Sequence, residues 1–235
     1  GSYTVVGTVD DLNYRGVSTD TLTIGKANTA VALTSSPNPS TFGATVTFTA
    51  TVSGGRVDPN GMQTAIVSDG PTGVVTFTTV SGELGTGTLD AGGVATYTTA
   101  SLSGGSHAIT ATYGGNGNYQ SSTSPSLTQM VRYTIGVSAN PPAGGAVSGG
   151  GAYNHGATVV VTATANSGYT FVNWTEGGNP VSTDAAYSFT VTANRTLVAN
   201  FTLNQYTIAV SANPVAGGSV SGGGGYNYGA TVIVT

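Results

Sequence analysis

The stretch "ATVTFTATV", residues 44–52, alternates strictly between apolar residues and threonine. Successive side chains of a β-strand point to opposite faces, so the apolar side chains from Val46 to Val52 share one face and the threonines share the other. A strand of this kind has one buried face and one solvated face, which is typical of antiparallel sheets. The stretch therefore predicts a β-strand whose apolar face packs on a core and whose threonine face contacts solvent.

Further candidate strands lie on both sides of this stretch, about ten residues apart, with Gly, Pro or Asn between them. Together with residues 44–52 they make seven strands between residues 27 and 131, which indicates an immunoglobulin-like β-sandwich. The other six are "AVALTSS" (30–36), "GVVTFTTV" (73–80), "GTGTL" (85–89), "GVATYTTA" (93–100), "SHAITATY" (106–113) and "SPSLTQMV" (124–131).

The composition of the 235 residues agrees with an all-β protein. Threonine and valine favour strands, whereas glycine, asparagine and proline interrupt them. Only 6% of the residues are charged, but 38% are hydrophobic, which excludes the charged and apolar-poor class of disordered chains. Cysteine is absent, so neither disulfides nor thiol chemistry can contribute.

An internal repeat organises the second half of the chain. When the sequence is shifted by about 73 residues, "YTIGVSANPPAGGAVSGGGAYNHGATVVVT" from Tyr133 aligns with the segment from Tyr206, and about 24 of 30 positions are identical. One complete unit therefore covers about residues 132–205. The second copy covers residues 206–235 and includes only the first part of the unit.

A weaker repeat links the start of the chain to the sandwich. Residues 9–24 resemble residues 114–129 in their order of polar turn, Asn-Tyr, Ser/Thr stretch and strand. Residues 1–26 are therefore predicted to be the C-terminal hairpin of a preceding Ig-like module. We expect the chain to be an excerpt of a longer tandem array. The alternative is that its two ends complete one another between molecules.

Residues 27–131 resemble the bacterial Ig-like repeats of large surface proteins. The resemblance rests on "LTSSPNPSTFGATVTFTATV", "PTGVVTF", "GVATYTT", "LSGGSHAITATYGGNGNY" and "STSPSLTQ". It departs from the family in one place, because the segment of residues 53–70 is longer than the connection that such modules usually carry there.

Residues 133–204 resemble the divergent internalin-type B-repeat of bacterial surface proteins, and residues 206–235 resemble its first part. The resemblance rests on the 133–174 stretch that ends in "GYTFVNW" and on "AYSFTVTANRTLVANF". It implies small, β-rich, grasp-like units. Strict alternation places Trp174 opposite Tyr169 and Phe171, so a shared aromatic core requires a β-bulge near Val172 and Asn173.

Catalytic chemistry finds little support in the sequence. Catalysis needs a nucleophile beside a base, paired carboxylates or a metal cluster, and the chain has two histidines and nine dispersed acidic residues. We therefore predict no enzyme activity, no catalytic residue and no cofactor. Asp10, Asp11 and Asn13 form the only local acidic group and are weak candidates for calcium, with a solvated hairpin turn as the favoured interpretation.

Aromatic residues offer the best candidates for surface contacts. Tyr153, His155, Tyr226 and Tyr228 flank glycine-rich turns at equivalent places in the two copies. Trp174, the only tryptophan, is instead predicted to lie in the core.

The favoured function is a non-catalytic stalk or filament segment of a bacterial cell-surface or extracellular fibre or adhesin. The expected partners are further modules of the same chain and copies of the chain in a fibre. The alternative is an accessory module that binds a surface glycan or protein. Five basic residues and a net charge of −4 argue against nucleic acid, and no apolar run is long enough for membrane insertion.

Overall fold

The computed structural model describes residues 2–10, 15–23, 25–55 and 70–235. The chain divides into two compact units. Unit 1 comprises Gly1–Ser40, Ala44–Ser101 and Ser106–Met130, and unit 2 comprises Thr41–Gly43, Leu102–Gly105 and Val131–Thr235. The regular secondary structure of the described residues is almost entirely β-strand, so the predicted all-β class is confirmed.

The first eleven strands of the described chain reach from the N-terminal hairpin to the start of unit 2. They are β1 (Ser2–Asp10), β2 (Arg15–Thr23), β3 (Asn28–Ser36), β4 (Ser40–Thr41), β5 (Val46–Gly55), β6 (Val74–Thr79), β7 (Gly82–Thr88), β8 (Val94–Thr99), β9 (Gly105–Tyr113), β10 (Ser122–Thr123) and β11 (Leu127–Asn140).

Unit 1 contains an antiparallel pair and a sandwich. β1 pairs antiparallel with β2, from Ser2 opposite Thr23 to Asp10 opposite Arg15. In the sandwich, β3, β5 and β8 form one antiparallel sheet, and β7, β6, β9 and β11 lie next to one another in that order in the other. All seven strands predicted for residues 27–131 are therefore present.

The alternation of β5 determines which face forms the core. Val46, Phe48, Ala50 and Val52 are buried, whereas the threonines between them are half-buried or exposed. The Phe48 ring lies 6.4 Å from the Phe77 ring of β6, between centroids. A predicted one-sided strand thus forms the contact between the two sheets, and burial of its apolar face stabilises the sandwich.

Two strand bounds differ from the sequence prediction. β7 begins at Gly82 rather than residue 85, because a register shift between Phe77 and Thr78 lets β6 and β7 pair up to their tight turn. β11 passes the predicted module boundary near residue 132 without a break. No proline interrupts Leu127–Asn140, and its alternating side chains are buried from Gln129 to Ile135, so nothing ends the strand there.

The remaining strands belong to unit 2, together with 3₁₀ turns at Pro142–Gly144 and Val215–Gly217. They are β12 (Gly145–Ser148), β13 (Gly151–Asn154), β14 (Thr158–Ala165), β15 (Tyr169–Glu176), β16 (Asn179–Ser182), β17 (Ala186–Thr190), β18 (Arg195–Leu203), β19 (Gln205–Ile208) and β20 (Gly224–Asn227).

The complete repeat unit encloses its own core between two sheets. One sheet has the order β16, β15, β18 and β11, and β13 also pairs with β11; the other has the order β12, β14 and β17. β11 and β18 run parallel, from Ile135 opposite Arg195 to Asn140 opposite Asn200. The enclosed side chains include Tyr133, Ile135, Val159, Val161, Trp174, Val191, Leu197, Ala199 and Phe201.

A bulge in β15 brings its three aromatic residues towards one core. Phe171 lies opposite Phe201 and Asn173 lies opposite Asn200, so Val172 is the extra residue of the bulge. Trp174 is fully buried, and its ring lies 6.1 Å from that of Phe171. The predicted bulge and the predicted core position of Trp174 are both confirmed.

Candidate functional site

Two of the predicted surface residues fasten glycine turns. Tyr153 in β13 and Tyr226 in β20 are half-buried. The Tyr153 hydroxyl donates to the carbonyl oxygen of Gly149 at 3.0 Å, and the Tyr226 hydroxyl donates to that of Gly222 at 3.1 Å. These bonds close a local turn, and a ligand-contacting role for the two tyrosines stays a prediction.

The other two predicted surface residues follow the same strands and are more exposed. The His155 ring lies 6.1 Å from that of Tyr133, and the Tyr228 ring lies 6.4 Å from that of Tyr206. Tyr228 also shares a hydrogen bond of 3.0 Å with the Ser167 hydroxyl. His155 with Tyr133 and Tyr228 with Tyr206 therefore form two equivalent aromatic pairs, one in each copy.

Tyr133 is a contact residue that the sequence analysis did not single out. Its ring lies 5.2 Å from that of Phe42, and a methyl group on Gly104 would overlap it. Only 8% of Tyr133 is exposed, compared with 55% of Tyr206. The repeat alignment gave no signal for this difference, because it depends on residues 42 and 104, which have no counterpart in the repeat.

Of the three calcium candidates, the structure describes only Asp10. Asp11 and Asn13 lie outside the described residues, and Asp10 ends β1 opposite Arg15. Among the described residues, no group of three or more histidine, cysteine, aspartate or glutamate residues could hold a metal ion. Calcium binding at this turn thus stays a prediction.

No helix within the described ranges has the length and apolar character of a membrane-spanning segment.

An open cleft of about 410 Å³ lies in unit 1, and sequence reasoning did not find it. Two of its polar side chains, those of Asp90 and Asn116, already have partners within the fold. One Asp90 carboxylate oxygen accepts from the Gly92 and Val94 amides at 2.8 and 2.9 Å. The Asn116 amide donates to the Thr72 hydroxyl at 3.1 Å. The contacts of these two side chains hold turns together, and Asp90 is the one carboxylate in the lining.

Tyr113 lies beside this cleft and is fully buried. Burial raises the pKa of its phenol above the ordinary value of 10.0, and the nearby Tyr119 raises it further. The hydrogen bond from the phenol to the Thr72 carbonyl oxygen, 2.9 Å long, acts in the opposite direction on the pKa. The neutral phenol therefore persists in the fold and holds residue 72 in place.

Arg195 is the centre of the one salt bridge seen in the described residues. Its guanidinium donates to the same Glu176 carboxylate oxygen from Nε at 3.0 Å and from Nη2 at 2.7 Å. It also lies 4.3 Å from the centroid of the Phe189 ring and 5.5 Å from that of Tyr187. The hydrogen bonds with Glu176 raise the pKa of Arg195. This arrangement joins β15, β17 and β18, and it is a structural clamp.

Comparison with known families agrees with the two folds. Residues 33–132 match the family model of the bacterial Ig-like domain (group 3), and residues 135–205 match that of the divergent InlB B-repeat domain. Residues 1–28 match the model of the MBG domain, and their assignment to a preceding Ig-like module stays a prediction. No curated protein matches the chain.

Both principal families are typical of bacterial surface and extracellular proteins, and their modules are typically non-catalytic. The second copy of the repeat, residues 206–235, is assigned by its identity with residues 133–162. The chain therefore contains a region that matches the bacterial Ig-like domain of group 3, followed by a region that matches the divergent InlB B-repeat domain, as the sequence resemblance predicted.

Proposed function

We propose that this chain is a non-catalytic stalk or filament segment of a bacterial cell-surface or extracellular fibre or adhesin. The observation that carries the proposal is the direct succession of two copies of the B-repeat. A single residue, Asn204, separates the last strand of the complete copy from the first strand of the next. A spacer this short favours neighbouring modules in contact over modules on a flexible tether.

The equivalent internal bonds of the two copies support a repeating structural role. The hydroxyl groups of Ser148 and Thr162 are 2.6 Å apart, and those of Ser221 and Thr235 are also 2.6 Å apart. Likewise, Arg132 donates to Asn154 at 3.1 Å, and Gln205 donates to Asn227 at 3.0 Å. Residues that maintain one fold in each copy, rather than one ligand site, are what a spacer module requires.

The proposed partners are further modules of the same chain and copies of the chain in a fibre. The modules hold together without disulfides, since the chain contains no cysteine. Each module would then depend on its own core and on its neighbours, as in other repeat arrays.

Replacing the segment tests the proposal. In the complete encoded protein displayed on cells, the part coding for residues 27–205 is exchanged for unrelated rigid β-modules of similar length, and it is also deleted. A stalk role predicts that deletion impairs surface presentation of the rest of the protein, and that the unrelated modules restore it.

Binding of the chain on a glycan array, abolished by substitutions at the predicted surface residues, would contradict the stalk proposal. It would favour the accessory binding module. Failure of unrelated modules to restore presentation would have the same meaning, because a spacer is replaceable and a binding site is not.

A further inference from the structure

Asn204, the residue between the two B-repeat copies, is held by three hydrogen bonds. Its amide donates to the Gly168 carbonyl oxygen at 2.7 Å, and its carbonyl oxygen accepts from the Tyr228 amide at 2.8 Å. Its side-chain oxygen accepts from the Thr170 hydroxyl at 2.6 Å. Because the backbone donor, the backbone acceptor and the side chain are all engaged, the linker has a defined conformation.

The turn before β15 receives the aromatic residue of the second copy. A methyl group on Gly168 would overlap the ring carbons of Tyr228, so the ring lies directly against the glycine backbone. Gly168 has a φ of 82°, a conformation that favours glycine. The Tyr228 hydroxyl and the Ser167 hydroxyl are 3.0 Å apart and share a hydrogen bond.

The first copy has the equivalent strand pair, β11 with β13 instead of β19 with β20, but a different aromatic residue after it. His155 stands where the second copy has Tyr228, and the covered ring there is Tyr133, packed on Phe42 and Gly104. In the second copy the corresponding Tyr206 is 55% exposed, and Tyr228 makes the contact with the preceding segment. His155 and Tyr228 therefore occupy equivalent positions but have different neighbours. His155 lies near Tyr133, whereas Tyr228 lies against Ser167 and Gly168.

We propose that Ser167, Gly168 and Asn204 form a docking surface on the B-repeat for the start of the following B-repeat, which binds through Tyr228. The inference rests on the proposed stalk function and deepens it, because it names the partner and the residues of the joint between successive repeats. The tyrosine at position 228 matches this surface through its ring against Gly168 and its hydroxyl against Ser167.

A matched pair of glycine substitutions in the full 235-residue chain tests the joint. Gly168→Ala and Gly156→Ala both place alanine at a positive φ, of 82° and 81°, but only the first meets another residue, since nothing lies within 4 Å of a Cβ at Gly156. Amide hydrogen exchange of Asn204 and Tyr228 is the measurement. We expect Gly168→Ala to lower their protection roughly tenfold and Gly156→Ala to leave it within about twofold.

A second variant keeps the test valid if Gly168→Ala disturbs its own turn. Tyr228→Ala lies outside the complete repeat, so it leaves the core around Trp174 intact, and it should also lower the protection of the Asn204 amide. Each glycine substitution is then combined with Tyr228→Ala. Because the ring is absent in both double variants, adding Gly168→Ala should lower the Asn204 protection no further than adding Gly156→Ala does. Unchanged Asn204 protection in Tyr228→Ala, or equal losses in the two glycine variants, would overturn the proposal.

Conservative variants separate the ring from the hydroxyl. Tyr228→Phe should retain most of the protection, whereas Tyr228→His should lose more, because the smaller imidazole covers less of Gly168 and does not place a hydroxyl at Ser167. Equal protection of the Asn204 amide with tyrosine and with histidine at position 228 would contradict the proposal that Tyr228 fits the surface of Ser167 and Gly168.

The outcomes for the joint and for the stalk are distinguishable. If the hydrogen-exchange results contradict the joint while unrelated modules still restore surface presentation, the stalk proposal stands, with flexibly linked repeats. If the hydrogen-exchange results support the joint while the chain binds glycans, the joint stands and the stalk role is wrong.

Discussion

The complete and the partial copies of the B-repeat have nearly the same sequence over thirty residues but very different burial. Val161 is fully buried, and its counterpart Val234 is 53% exposed. Ile135 is buried, and its counterpart Ile208 is half-buried. The local hydrogen bonds are nevertheless equivalent, including the tyrosine hydroxyl that closes each glycine turn.

The comparison separates the part of the repeat that forms the local bonds from the part that covers the apolar side chains. Both copies form the same strand pair and the same glycine turn, so these features require only residues within the thirty that the copies share. The covering of their apolar side chains comes from residues 163–205, which provide β15, β17 and β18. Burial of that surface is the main source of stability, so the second half of the repeat stabilises the first.

The largest expected effect is that of replacing Trp174, which the second half of the complete repeat contributes to the core. Trp174→Ala should cost about 3–5 kcal/mol of the free energy of unfolding, because a fully buried ring is replaced by a cavity. Chemical denaturation followed by circular dichroism gives the cost, and hydrogen exchange should rise in β14 and β18 and stay unchanged in β5.

Val172→Ala is the matched control on the same strand, since the bulge residue Val172 is 46% exposed. Its cost should stay below about 0.5 kcal/mol. Similar denaturation midpoints for the two variants would show that the bulge does not direct Trp174 into the core.

The most direct test of the comparison uses equivalent valines. Val161→Ala should cost about 1–3 kcal/mol, since two buried carbons are lost and a small cavity remains. In the 235-residue chain, Val234→Ala should cost less than about 0.5 kcal/mol because the side chain is half in solvent there. Denaturation of both variants measures the difference, and equal costs would mean that the two copies are buried alike.

A smaller effect is expected for the Arg195 clamp, which has no counterpart in residues 206–235. Arg195→Lys keeps the charge but loses the two-nitrogen contact with Glu176 and the planar contact with Phe189. Because the Glu176 side chain is about one-third exposed, we expect a cost of only about 0.5–1.5 kcal/mol in thermal or chemical denaturation.

Arg132→Gln is the control for the clamp, because the second copy has Gln205 at the corresponding position and that residue makes the equivalent bond. It should be nearly neutral, within about 0.5 kcal/mol. A cost as large as that of Arg195→Lys would indicate that surface hydrogen bonds, rather than the clamp, determine stability.

The smallest effects should come from the bonds that the copies share. Ser148→Ala and Ser221→Ala each remove an exposed hydroxyl bond of 2.6 Å, and each should cost no more than about 0.5 kcal/mol. Local hydrogen exchange near each serine should change to the same extent. A clearly larger change in the complete copy would show that burial also strengthens these local bonds.

Sequence patterns predicted the elements of this protein well, because they depend on neighbouring residues. The alternation of residues 44–52 predicted a one-sided strand, and the position of Trp174 out of phase with Tyr169 and Phe171 predicted the bulge. The same kind of argument identified four turn-flanking side chains, but it did not separate the half-buried Tyr153 and Tyr226 from the exposed His155 and Tyr228. It also did not predict that Tyr228 lies against Gly168, because that contact joins residues far apart in the sequence.

The all-β class, the seven sandwich strands and the repeat could be predicted from the sequence alone, because side-chain alternation and glycine turns are properties of short segments. The parallel pairing of β11 with β18, some sixty residues away, became visible only in the folded structure. The same is true of the packing of Tyr133 on Phe42 and of Tyr228 on Gly168. Such contacts join distant segments whose approach is governed by packing of the whole unit, and no local pattern encodes that packing.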